Sequence, residues 1–163
     1  MQHTPTPDEW RGWLRQNGGR YLLYARQQTR SESDAEDVLQ ESIAEACQRS
    51  SGMPEDGLVF ATIRRRAIDL ARSSARRAAR EDDQQPEVPW FAPDVEDRET
   101  QRLLELAVTA LPANYREVVS LKIWGGLTFQ QIADLTGVPL NTAASRYRYA
   151  LEELRQNLKG VLS

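Results

Sequence analysis

The chain has 163 residues, 40% of them hydrophobic, and a formal net charge of −3. That length holds one domain or two small ones; no apolar run reaches the roughly 20 residues needed to span a bilayer, and the start, MQHTPTPDEW, lacks the basic and apolar parts of a signal peptide, so a soluble, cytoplasmic protein without membrane insertion is expected. A single cysteine, Cys47, excludes an intramolecular disulfide, and with His3 as the one histidine there is no ligand set for a structural zinc; no metal or cofactor is expected.

Charge is distributed in blocks. Residues 31–46 hold six acids (Glu32, Asp34, Glu36, Asp37, Glu41, Glu45) and no base, residues 58–80 hold seven arginines against Asp69, and residues 81–99 hold eight acids against Arg98. The near-neutral total therefore conceals segments of −6, +6 and −7.

In chain order, Pro7 and Asp8 are expected to open a short helix through Trp13 and Leu14, with Trp10, Trp13 and Leu14 on its buried side and Gly18 and Gly19 stopping it. Tyr21, Leu22, Tyr24 and Ala25 predict a second, brief helix ending before Ser31. Ser33 and Glu36 have capping-box spacing, and Ala35, Val38, Leu39, Ser42, Ile43 and Ala46 follow at helical intervals, which gives an amphipathic helix with an acidic outer face. Residues 48–57, with two glycines, a proline and two serines, read as a loop. The next helix has an inner stripe of Phe60, Ile63, Ala67, Leu70, Ala71 and Ser74 and leaves most of its arginines on the remaining surface.

Residues 81–97 are acidic, contain Pro86, Pro89 and Pro93 and show no period, so they read as a linker between residues 1–80 and 98–163. Within it, Trp90 and Phe91 are expected to dock on one of the two domains, a partner contact being the other reading. Leu103, Leu106, Ala107 and Ala110 then begin a fifth helix that Leu111-Pro112 ends. Tyr115, Val118, Val119 and Ile123 mark a sixth, closed by Gly125 and Gly126. No useful length alternates with a period of two and no internal repeat is evident. The predicted fold class is all-α: two small helical domains joined by an acidic, Pro-containing linker.

The last part of the chain carries a more specific pattern. Thr128 and Gln131 form a capping box, Ile132, Ala133 and Leu135 give the helix an apolar side, and Gly137 ends it and lets the chain reverse. A second helix packs Ala143, Tyr147, Ala150, Leu151, Leu154 and Leu158 inward and turns Asn141, Ser145, Arg146, Arg148 and Tyr149 outward. Small residues at 133 and 137 suit a steep crossing through a short turn, which is a helix-turn-helix pattern. A DNA-reading helix enters the major groove by its N-terminal part, where Asn141, Thr142, Ser145, Arg146 and Arg148 stand. Arg146 and Arg148 read equally as solvated charges, and the arginines of 64–80 read as a solvated face, a phosphate-binding face or a partner for the acidic helix. The exposed acids Asp34, Asp37 and Glu41 equally fit a protein partner outside the domain. Asp69 reads as an ion-pairing residue, because no nucleophile, histidine or second carboxylate is placed near it by any motif; no catalytic residue is expected.

DAEDVLQE at 34–41, IRRRAIDLAR at 63–72 and LPANYREVVSLKIWGGLTFQQIADLTGVPLNTAASRYRYALEELR at 111–155 resemble, in this order, bacterial RNA polymerase sigma factors of the extracytoplasmic-function type. The resemblance covers roughly Tyr21 to Leu158. It implies a promoter-melting domain (region 2) at 1–80, a linker at 81–97 and a helix-turn-helix domain (region 4) at 98–163. It further implies core RNA polymerase and promoter DNA as partners, with an anti-sigma factor as an additional partner that nothing in the chain itself names. Asp34, Asp37, Gln40 and Glu41 would dock on polymerase, and Arg64, Arg65, Arg66 and Arg72 would face the −10 element, with the loop at 48–57 holding a flipped base. Arg116, Thr128, Asn141, Thr142, Ser145, Arg146, Arg148 and Tyr149 would meet the −35 element, Arg116 and Thr128 at phosphates. The chain departs from the family's usual residues at Arg66, where recognition of the −10 element is expected to differ or to rest more on phosphate, and at Leu140 and Ala144, so its −35 sequence does not transfer. A free-standing helix-turn-helix regulator is the alternative, although such proteins usually carry an α/β receiver domain that the first half lacks.

Overall fold

The computed structural model describes residues 4–78 and 98–162, without the side chains of 74–78, 98, 100–102, 105, 161 and 162. The expected linker at 81–97, the docking of Trp90 and Phe91, and the burial of Ser74 lie outside the described residues. The chain divides into two compact units, Met1–Trp90 and Phe91–Ser163. Among the described residues all regular structure is helical, as the periodicity predicts.

The first unit packs three helices against one another: α1 (Pro7–Gln28), α2 (Glu32–Gln48) and α3 (Asp56–Ala78). The expected pair of short helices before Ser31 is one helix, α1. Thr6 opens it with a capping box: its hydroxyl accepts from the Glu9 N–H, and the Glu9 carboxylate accepts from the Thr6 N–H, both at 3.2 Å. Each interior glycine costs a helix about 1 kcal/mol relative to alanine. Packing offsets that cost, because Tyr21, Leu23, Tyr24 and Ala25 are buried and Trp13 meets the Tyr21 ring at 5.7 Å across the two glycines. Phe60 of α3 lies edge-on to both Tyr21 and Tyr24, at 5.1 and 5.3 Å. The core therefore sits at the C-terminal half of α1, and Trp10, Trp13 and Leu14, expected inside, are half-buried or exposed.

Helix α2 starts one turn-half earlier than the Ser33–Glu36 spacing predicts. Ser31 is its cap and accepts from the Asp34 N–H at 3.0 Å, while Arg26 grips the Glu32 carboxylate through Nε and Nη2 at 2.7 and 2.5 Å and ties the end of α1 to it. Ala35, Val38, Ser42 and Ala46 are buried, as their intervals predict. On α3, Phe60, Ile63 and Ala67 are buried along with Val59 and Thr62, whereas Ala71 is exposed.

The second unit is built on α7 (Leu140–Leu162), against which α4 (Arg98–Thr109), α5 (Ala113–Val119) and α6 (Phe129–Thr136) each pack. Asn157 of α7 donates to the Ala107 carbonyl at 3.0 Å. Among the described side chains of α4, Ala107 and Val108 are buried, as is Leu111 just beyond the helix; Leu106 and Ala110, expected inside, are exposed. After α5 the chain runs through a π-helical turn, Ser120–Trp124. One extra residue per turn shifts the register, so Leu121 is buried and Ile123 is exposed, contrary to the simple 3.6-residue expectation. Gly125 is needed there: a Cβ would meet the Leu121 carbonyl oxygen at 2.5 Å. Gly126, at φ +66°, then reverses the chain in the left-handed region that favours glycine.

Candidate nucleic-acid interface

The helix-turn-helix forms as the sequence predicts. Thr128 caps α6, its hydroxyl accepting from the Gln131 N–H at 3.1 Å while Gln131 Oε1 accepts from the Thr128 N–H at 2.8 Å. Gly137, at φ 73°, closes α6, and the Gly137 and Val138 N–H groups both donate to the Ala133 carbonyl. Ile132 and Ala133 are buried against α7, whose inner face is Ala143, Ala150 and Leu154. Leu151, expected on that inner face, is 37% exposed. Phe129 stands edge-on to Tyr147 at 5.4 Å, and the Lys122 ammonium lies 4.5 Å from the centroid of the same Phe129 ring.

On α7, Asn141, Ser145, Arg148 and Tyr149 are spaced so that they share the side away from that inner face, and Thr142 and Arg146 form the adjoining stripe. Asn141, Arg148 and Tyr149 are exposed, and Thr142, Ser145 and Arg146 are half-buried. The Arg148 guanidinium lies 5.2 Å from the Tyr149 ring centroid, which restricts a long side chain that would otherwise be free to wander. One turn further on, Glu152 accepts from Arg155 at 2.8 and 2.9 Å, and these hydrogen bonds, with one from Gln156, hold its carboxyl below the usual range. An ionised acid therefore bounds the polar and cationic face at its C-terminal side. Thr128 and Arg116 are contributed by separate elements, the start of α6 and α5. The Thr128 oxygen is used in the cap, but its O–H remains a donor suited to a phosphate oxygen.

In the first unit, Asp37, Gln40 and Glu41 are exposed on one edge of α2, and Asp34 is half-buried in its first turn. Asp34 and Asp37 carry no ion pair among the described residues. Glu41 and Glu45 behave differently: Arg66 donates to Glu41 at 3.0 Å and to Glu45 at 2.9 Å, Arg65 donates to Glu45, and Arg49 approaches Glu45 to 3.9 Å. Burial alone would raise the Glu45 carboxyl, but Arg65 and Arg66 outweigh it and hold it below the usual range. The acidic helix is thus an internal partner for the arginine helix. This pairing joins residues 20 to 25 positions apart, so no local pattern announces it. Arg72 is exposed further along α3, and Arg64 is half-buried.

Between α2 and α3, Arg49, Ser50, Ser51, Met53 and Leu58 border a polar cavity of about 510 Å³. The start of α3 is tied to α1 by a contact that the sequence reading missed: Arg20 Nη2 and the Tyr21 hydroxyl both donate to Asp56 Oδ1 at 2.6 Å. Burial first, then the bond to Asp56, pushes the Tyr21 hydroxyl well above its ordinary range, so it stays a donor. The half-buried acid Asp56 at the first turn of α3, 35 residues from Tyr21, is legible as a helix-start acid but not as this clasp.

Residues 101–154 match the family model described as Sigma-70, region 4. The chain is 31% identical over 143 residues to the ECF RNA polymerase sigma factor SigL of Mycobacterium tuberculosis, covering 83% of this chain and 81% of that protein. It is 26% identical over 133 residues to the RNA polymerase sigma factor SigV of Bacillus subtilis, covering 79% and 78%. Its fold is similar to the sigma factor RpoE from Bartonella quintana, solved in complex with the anti-sigma factor NepR, with a TM-score of 0.74, 20% identity and coverage of 93% of this chain and 98% of that one. A match of 143 residues is longer than either compact unit, so the likeness is not confined to a helix-turn-helix shared with free-standing regulators. The chain belongs to the ECF RNA polymerase sigma factors.

Proposed function

We infer that this chain is a promoter-specificity subunit, which binds core RNA polymerase, recognises −10 and −35 promoter elements and initiates transcription. The observation that carries the inference is the presence on one chain, in family order, of an acid-edged α2, an arginine-bearing α3 and the helix-turn-helix of α6 and α7.

The residues divide the work by chemistry. Asp34, Asp37, Gln40 and Glu41 offer a basic polymerase surface an edge of acceptors, of which Asp37 is fully available. Arg64, Arg65, Arg66 and Arg72 face the backbone of the −10 element, and the polar lining of the cavity beside Arg49 and Met53 supports its taking an unstacked base. Arg116 and Thr128 contact phosphate around the −35 element, while Asn141, Thr142, Ser145, Arg146, Arg148 and Tyr149 meet its bases and backbone. Residues 1–80 act as region 2, 81–97 as the linker and 98–163 as region 4. The protein supplies no catalysis of its own and works in the cytoplasm, where polymerase is; no helix among the described residues is long and apolar enough to cross a membrane. A partner of the anti-sigma class, of the kind found with the Bartonella quintana relative, is part of the proposal.

Run-off transcription with purified core RNA polymerase on a genomic library tests the reading. Initiation from a shared pair of promoter elements is expected only when the chain is added; transcription indifferent to it would overturn the reading.

A further inference from the structure

Three of the six exposed large apolar side chains among the described residues lie on α7: Leu140, Tyr149 and Leu151. Leu140 is the first residue of that helix and is 46% exposed, at the end by which a recognition helix enters the major groove. One turn along the same side is Ala144, which is half-buried and short. The neighbours on the adjoining face, Asn141, Ser145 and Arg148, all carry hydrogen-bonding groups. Leu140 carries none, so it cannot read a donor or acceptor on a base edge. The one apolar feature that a base pair offers in the major groove is the C5-methyl group of thymine.

We propose that Leu140 is a specificity-determining residue that selects a thymine in the −35 element by covering its C5-methyl group, with the short side chain of Ala144 leaving room for that base edge. The proposal rests on the reading of α7 as the −35 helix. A polar base edge at the same place would lose its hydration to a leucine and gain nothing in return, so Leu140 also rejects cytosine and the purines.

The test uses holoenzyme assembled from the full chain and core RNA polymerase, and duplexes carrying a promoter obtained by run-off selection. Each thymine of the −35 segment is replaced singly by deoxyuridine, which removes the methyl group alone, and binding is measured by competition. Covering one methyl is worth about 0.8 kcal/mol, or about fourfold in affinity. One position is expected at which deoxyuridine costs wild-type holoenzyme about fourfold and costs Leu140→Ala holoenzyme nothing, with Leu140→Met retaining the preference. At that position 5-methylcytosine is expected to bind better than cytosine for wild type alone. Because Leu140 is exposed, the Leu140→Ala chain should melt at the wild-type temperature. A −35 segment without thymine, or deoxyuridine costs that are the same in both proteins, would overturn the proposal. If scrambling the whole −35 segment changes nothing, the proposal falls together with the reading beneath it; a scramble effect without a Leu140-dependent methyl effect overturns the proposal alone.

Discussion

The two units carry their cationic groups in opposite ways. On α3, Arg65 and Arg66 are already bound by Glu41 and Glu45 of the neighbouring α2, whereas on α7 Arg148 rests on a tyrosine ring and the nearest paired acid, Glu152, is engaged by Arg155. Carboxylates beside an arginine lower the potential that a phosphate would feel and compete for the same donors. Arg65 and Arg66 are therefore screened by the acids of α2, and Arg148 is not screened in this way. The difference teaches that Glu41 belongs to two surfaces at once. It stands on the edge proposed to meet polymerase, and it holds Arg66, which is proposed to meet the −10 element.

The comparison is broken most severely at Asp37, an exposed acid of α2 that makes no ion pair among the described residues and so has no internal duty to confound the result. Asp37→Arg is expected to weaken core polymerase affinity about a hundredfold, about 3 kcal/mol, through a lost contact and a new repulsion, without altering unfolding; an unchanged affinity in a direct titration would remove this edge from the docking surface. The second unit has its own weak point at Gly125, where Gly125→Ala must displace the Leu121 backbone. A cost of about 2 kcal/mol is expected, seen as earlier thermal unfolding of the second unit.

Smaller effects sharpen the contrast in charge. Arg148→Ala should lower holoenzyme affinity for a selected promoter about tenfold, within the 1–3 kcal/mol of a good base contact; a fall of about one in the salt slope identifies a phosphate contact, and an unchanged slope a base contact. Glu45→Gln is expected to act in the opposite direction, raising the isolated chain's affinity for single-stranded DNA about threefold by freeing Arg65 and Arg66. Its pH signature has a definite sign. The Glu45 carboxyl is held below its ordinary value in the folded chain, so the stability it contributes is present above the unfolded pKa and is lost as pH falls through the folded one. Wild type and Glu45→Gln should therefore converge in melting temperature in acid and differ at neutral pH.

Much of the second unit was legible because its signals are local: the Thr128–Gln131 box, the left-handed Gly137 and the spacing of Ala143, Ala150 and Leu154 each lie within one or two turns. The errors have non-local causes. Gly18 and Gly19 read as a helix stop, but the burial of Tyr21 and Tyr24 against Phe60 carries α1 through them. Ile123 reads as core until a π turn moves it outward, and nothing in the neighbouring residues except Gly125 hints at that turn. A pairing of the acidic helix with the arginine helix is one of several readings of the charge blocks, because a sequence gives the charges on two helices but not which edges meet.

The most direct test of the account is fluorescence anisotropy of one selected promoter duplex, with the isolated chain and with the chain bound to core polymerase. The account predicts weak binding by the isolated chain, with little preference over a scrambled duplex, and tight, sequence-dependent binding by the holoenzyme. Tight, specific binding by the chain alone would contradict it.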